Sequence, residues 1–219
     1  MRIRAIAAAV LLTLAGTTAQ ADVRPNIVEG EFVGSAPWAV QLHNGGSFGC
    51  TASIIAPEWV LSAKHCGGDS VRVGNIRLGQ GEERAIVERV DNPAGDMMLL
   101  RLESEVDTEY VRLADRAPRV GEVHHIYGWG TTDYECCDSI SPLLKRAAVK
   151  VVGTARDAYG GVAVETRWET GTAGYGDSGG PQLNSDGIQV GVCSTGDYEF
   201  TQYASVAAHR GWIRSVAGV

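Results

Sequence analysis

The sequence predicts an all-β fold, and three observations carry that prediction. Short apolar runs recur along the body of the chain. Gly, Asn, Asp and Pro separate them at short intervals, and no long helical period intervenes. The 28 glycines and seven prolines are scattered rather than clustered, as many turns between many strands require. This spacing favours a sandwich or a barrel over βαβ units. A length of 219 residues fits one large domain or two small barrels sharing an interface.

Taken in order, Trp38–Leu42 alternates weakly, and Trp59–Ala63 is apolar enough for a buried strand. Val71–Val73, Ala85–Val90, Met97–Leu102, Glu122–Tyr127, Ala147–Val152, Val162–Thr166 and Ile188–Cys193 continue the pattern. Turn residues such as Asn44-Gly45-Gly46 and Asn92-Pro93 punctuate it. The polar stretch Ala114–Gly121, with Pro118 inside it, is the expected linker between halves. Only the tail reads as helix. From Ser205 to Val216, Val206, Trp212, Ile213 and Val216 form one apolar face, with Ser205 as cap.

The first 21 residues belong to a different category. Arg2 and Arg4 give a positive start, Ala5–Ala15 an apolar run, and Ala19-Gln20-Ala21 a small-residue cleavage signal. Together they predict a secretory signal peptide. No later stretch approaches the roughly 20 apolar residues that span a bilayer. The formal charge of −7 becomes more negative once residues 1–26, with three arginines and one aspartate, are set aside. No basic stripe suggests a nucleic-acid surface, and neither a cofactor nor a metal is expected. His124-His125 makes no metal site alone, because neighbours on a strand face opposite ways.

Five cysteines in an exported chain point to disulfides. Cys50 and Cys66 are 16 residues apart across two expected strands and make one staple. For Cys136, Cys137 and Cys193 two arrangements stay open. Either the first two form a vicinal bond, or one of them pairs with Cys193 and leaves a free thiol.

The chemistry concentrates in Gly176-Asp177-Ser178-Gly179-Gly180-Pro181. Small neighbours let the backbone turn tightly around Ser178 and let another molecule approach its hydroxyl. The N–H groups of Gly176 and Ser178 can aim at one spot, which suits a developing oxyanion. Upstream, Ala63-Lys64-His65-Cys66 supplies a histidine, and Asp96 leads an apolar strand. Nucleophile, base and orienting acid are thus all present.

These residues resemble the trypsin/chymotrypsin-like serine proteases, and the resemblance spans nearly the whole chain after residue 26. Ile27-Val28-Glu29-Gly30 looks like that family's new N-terminus, and Trp59–Cys66 like its histidine strand and loop. Asp96–Leu102, Gly128-Trp129-Gly130 and Gly176–Pro181 match its aspartate strand, second-half turn and nucleophile loop. The short loops suggest secreted bacterial members. The resemblance implies two six-stranded antiparallel barrels, over 27–113 and over 114–219 with a terminal helix, after a signal peptide at 1–21 and a pro-segment at 22–26. It implies a secreted serine endopeptidase with His65, Asp96 and Ser178 as triad and Gly176 and Ser178 as oxyanion hole. Its partners would be protein or peptide substrates and protein inhibitors, with no nucleic acid or membrane, and the chain would act as a monomer. A non-catalytic binding protein on the same scaffold and an esterase-like hydrolase are the competing readings. The esterase lacks its strand-to-helix context here.

The resemblance also implies an activation pair, in which a free amine at Ile27 meets the Asp177 carboxylate. It puts Thr172 at the base of the specificity pocket, where an acid would select Lys or Arg. Ser194 and Gly196 would form the substrate-pairing edge, and Thr201 would enter the pocket. Two threonines suit a small or medium apolar side chain. Asp197 or Glu199 turned inward would instead favour a basic one.

Overall fold

A computed structural model describes residues 27–133, 139–197 and 199–219. The signal peptide (1–21), the pro-segment (22–26), Cys136 and Cys137 lie outside the described residues. The strands are β1 (Glu31–Phe32), β2 (Ala39–Asn44), β3 (Ser47–Ala56), β4 (Trp59–Ser62), β5 (Ser70–Val73), β6 (Glu82–Asp91) and β7 (Met98–Leu102). Then follow β8 (Arg112–Leu113), β9 (Val123–Gly128), β10 (Lys145–Arg156), β11 (Val162–Trp168), β12 (Pro181–Leu183), β13 (Ile188–Gly196), β14 (Phe200–Ser205) and the helix α1 (Val206–Ala217).

Six strands close the first barrel in the order β2-β3-β4-β7-β6-β5. The second runs β10-β11-β14-β13-β12-β9 and closes where β9 pairs with β10. Every pairing within the two rings is antiparallel. Closure leaves no long open edge for another chain to pair with. Two short strands cross the division: β1 pairs with β10, and β8 lies parallel to β13.

Buried positions follow the pleat where one face meets solvent. Along β10, Lys145, Ala147, Val149 and Val151 point inward and alternate with half-buried neighbours. In β3 every residue from Cys50 to Ala56 is buried, since the strand is covered by its own barrel on one side and by the second on the other. The main core joins Val40, Ile54, Leu61 and Leu99 of the first barrel to Val192 and Ala204 of the second. It includes Val206 and Ile213, the buried apolar residues of α1. Ser205 caps the helix as the sequence predicts, its Oγ accepting the Ala208 N–H at 3.3 Å.

Cys50 and Cys66 form a disulfide that ties β3 to the loop after β4. Closing a loop of 16 residues limits the unfolded chain. A Cys50→Ser/Cys66→Ser variant is expected to lose about 3 kcal/mol of stability in urea unfolding. Cys193 is a free thiol and buried.

Candidate active site

The segments after β4, before β7 and before β12 carry His65, Asp96 and Ser178. His65 follows β4, and its loop is held by the adjoining disulfide. Its Nδ1 lies 2.7 Å from Asp96 Oδ2, and its backbone N–H donates to Asp96 Oδ1 at 3.0 Å. Asp96 stands just before β7 and is fully buried, whereas the His65 side chain keeps 31% exposure. The Ser194 hydroxyl adds a third bond, to Asp96 Oδ2 at 2.5 Å. Burial alone would raise the Asp96 carboxyl. The bonds from His65 and Ser194 outweigh that and hold it below the ordinary carboxylate value. An ionised, well-bonded acid behind an imidazole fixes its tautomer and favours its charged form.

Ser178 lies on the loop before β12 and lines the same cleft as Ser194. Among the described residues no hydrogen bond joins Ser178 Oγ to His65. The loop itself is gripped by β3 of the other barrel. The Thr51 N–H donates to the Ser178 carbonyl at 3.0 Å, and Thr51 Oγ1 donates to the Gly176 carbonyl at 2.8 Å. These bonds fix both peptides, and among the described residues none uses the Gly176 or Ser178 N–H. Gly176 has φ +90°, and a Cβ there would stand 3.1 Å from Gly130 Cα.

Asp177, between them, is buried, and its carboxylate accepts the Gly130 and Gly174 N–H groups at 2.8 Å each. Burial pushes its pKa up to about 7, with those two N–H bonds and the charge of Lys145 pulling it back. Lys145 is itself lowered to about 8 by burial, against the pull of Asp177. Ile27 is buried in the second barrel's core beside Ile126 and Tyr203, and Val28 bridges to Thr172.

The pocket beside Ser178 has a volume of about 400 Å³. Thr131, Ala173, Gly174, Cys193, Gly196 and Thr201 are among its walls. Thr172 and Thr201 are both buried, with their hydroxyls 3.5 Å apart. Asp197 lies at the rim, and its Oδ1 accepts the Glu199 and Phe200 N–H groups of its own turn. Glu199 is exposed. Lys64 points away from the chemistry: its Nζ donates to the Asn92 carbonyl and lies 4.6 Å from the Tyr159 ring centre.

The family profile described as Trypsin matches residues 28–213. The chain belongs to the trypsin family. It is similar to kallikrein-15 of Saguinus oedipus, at 32% identity over 90% of this chain and 93% of that protein. It is similar to a trypsin of Sarcophaga bullata at 29% identity, covering 99% and 98%. Among solved structures, mouse neuropsin aligns with a TM-score of 0.72 at 25% identity, over 83% of this chain and 94% of that one. A serine-type endopeptidase is what trypsin-family membership makes of the chain. Its named relatives are animal proteins, so the bacterial likeness suggested by the short loops gains no support from them.

One feature of this family member's site had no sequence signal. The tip of the β10–β11 hairpin reaches the back of Asp96, and Asp157 bonds the Asp96 N–H at 2.9 Å. Nothing in the run Arg156-Asp157-Ala158-Tyr159-Gly160-Gly161 distinguishes it from an ordinary turn.

Proposed function

We propose that the chain is a secreted endopeptidase, made as a zymogen, that cleaves protein or peptide substrates as a monomer through an acyl-enzyme. The observation that carries this reading is the buried Asp96, joined by two bonds to His65 and by a third to Ser194, which lines the same cleft as Ser178. Ser178 Oγ attacks the scissile carbonyl, and His65 Nε2 takes the proton and returns it to the leaving amine. Asp96 holds His65 through Nδ1 and offsets its positive charge. The Gly176 and Ser178 N–H groups receive the negative oxygen, and water then repeats the sequence on the acyl-enzyme.

The residues expected at the pocket base, Thr172 and Thr201, offer no carboxylate to a basic side chain. Thr172 and Thr201 supply hydroxyls and methyl groups, and the Asp197 carboxylate is engaged by its own turn. We therefore read the preferred residue before the cut as small or apolar. Ser194 and Gly196, at the end of β13, pair with the substrate backbone.

Cleavage-site profiling of a diverse peptide library tests both levels, using protein that starts at Ile27 beside a Ser178→Ala control. The expected cuts depend on Ser178 and follow small or apolar residues. Cuts after Lys or Arg would move the specificity to Asp197 or Glu199. An absence of cuts by folded protein would leave a binding protein on a protease scaffold.

A further inference from the structure

Behind the triad lies a second buried aspartate that the reaction just described does not use. Asp157 opens the turn between β10 and β11, and both its oxygens are committed as acceptors. Oδ2 takes the Asp96 N–H at 2.9 Å, and Oδ1 takes the Tyr159 N–H at 3.0 Å and the Gly161 N–H at 2.8 Å. The next residue completes the grip: the Ala158 N–H donates to Ser194 Oγ at 3.0 Å, and Ser194 in turn donates to Asp96. One hairpin tip therefore holds Asp96 from its backbone side and, through Ser194, from its carboxylate side.

The approach is close enough to dictate glycines on both surfaces. A Cβ on Gly95 would stand 2.7 Å from Asp157 Oδ2 and 2.7 Å from His209 Nε2. One on Gly161 would stand 2.6 Å from the Ala94 carbonyl oxygen and 2.6 Å from Gly95 Cα. Neither sequence position announces this, because both glycines read as turn residues.

We infer that Asp157 is a positioning residue, which sets the Asp96–His65 pair by holding the Asp96 peptide with a carboxylate. This rests on the serine-protease reading of the site. A carboxylate is required because every partner is an N–H donor. An asparagine at 157 would turn its own NH₂ toward one of those donors and lose that bond.

The test compares Asp157→Asn with the parent, both starting at Ile27 and both counted by active-site titration. Asp157→Ser, which presents no amide donor to Asp96, serves if the first variant does not accumulate folded. Per titrated site, kcat is expected to fall about tenfold with KM within about twofold, as a misdirected base requires. The NMR signal of the proton between His65 Nδ1 and Asp96, read in a Ser178→Ala background, is expected to shift, because the Asp96 peptide is no longer held in place.

A folded variant with kcat per site within twofold of the parent and an unmoved His65 Nδ1 proton signal overturns the inference. So does a variant that only lowers the number of titratable sites, because that is a purely structural effect. A parent protein that hydrolyses nothing contradicts the protease reading instead. The NMR signal needs no turnover and still decides the role of Asp157.

Discussion

Replacing His65 by alanine is expected to lower kcat by about 10⁴-fold or more. The imidazole is fixed on its near side by a buried acid, and its side chain stays 31% exposed. Without it, Ser178 must lose its proton to water. Residual rate above the uncatalysed reaction comes from the Gly176 and Ser178 N–H groups and from substrate binding. Because the triad works as a unit, a Ser178→Ala/His65→Ala double variant should be little worse than either single change. Peptide-amide hydrolysis of the three variants checks this, with circular dichroism to establish that each is folded. Losses that multiply in the double variant would mean the two residues do not act together.

Cutting between Asn26 and Ile27 is expected to raise kcat/KM by about 10²-fold or more. Asp177 lies between the two residues proposed to form the oxyanion site, and among the described residues two N–H bonds and the attraction of Lys145 offset the burial of its charge. A free amine at Ile27 would supply the missing cation and fix the loop. The sign with pH follows from the direction of the shift. While Ile27 remains joined to Asn26, the Asp177 carboxyl is raised from 3.8 to about 7 on folding. Its contribution is fully present below about pH 4 and is lost as pH rises through about 7, a change of a few kcal/mol. Once the amine is free, that loss should shrink. Urea unfolding of a Ser178→Ala protein, with and without residues 22–26, at about pH 5 and about pH 8 measures it. Equal pH dependence in the two forms, or equal activity of their Ser178 counterparts, would remove Ile27 from the mechanism.

How much the sequence discloses depends on the kind of signal each feature leaves. Strands with one wet face, such as β5 and β10, alternate and are legible. The ten-residue β3 is not. It is buried throughout Cys50–Ala56, and its small residues leave no period to read. The short β12 and β14 hide for other reasons. Pro181 opens the first, and the polar run Thr201-Gln202 sits at the start of the second. The helix is legible because an apolar face and a capping serine coincide at its start.

At the site, residue types and order single out Ser178, His65 and Asp96 as the proposed nucleophile, base and acid, and the structure joins His65 to Asp96. The proposed threonine pocket comes only from resemblance to a family. Ser194 is expected at the substrate-pairing edge, and the structure adds its bond to Asp96. Asp157 escapes altogether. Its partner is a backbone N–H 61 residues away, a relation that only the closed fold creates.

Thr51 has a wider consequence. Its N–H and hydroxyl hold the carbonyls of Ser178 and Gly176, so a strand of one barrel sets the conformation of a loop in the other. His65 and Asp96 come from the first half of the chain and Ser178 from the second. Under the proposed mechanism, proteolytic competence is therefore a property of the seam. A chain whose halves have not yet docked, or have been prised apart by heat, would hold the proposed nucleophile and base on separate pieces and could not digest its neighbours. Assembly would then act as a safety interlock, separate from the proposed cut at Ile27.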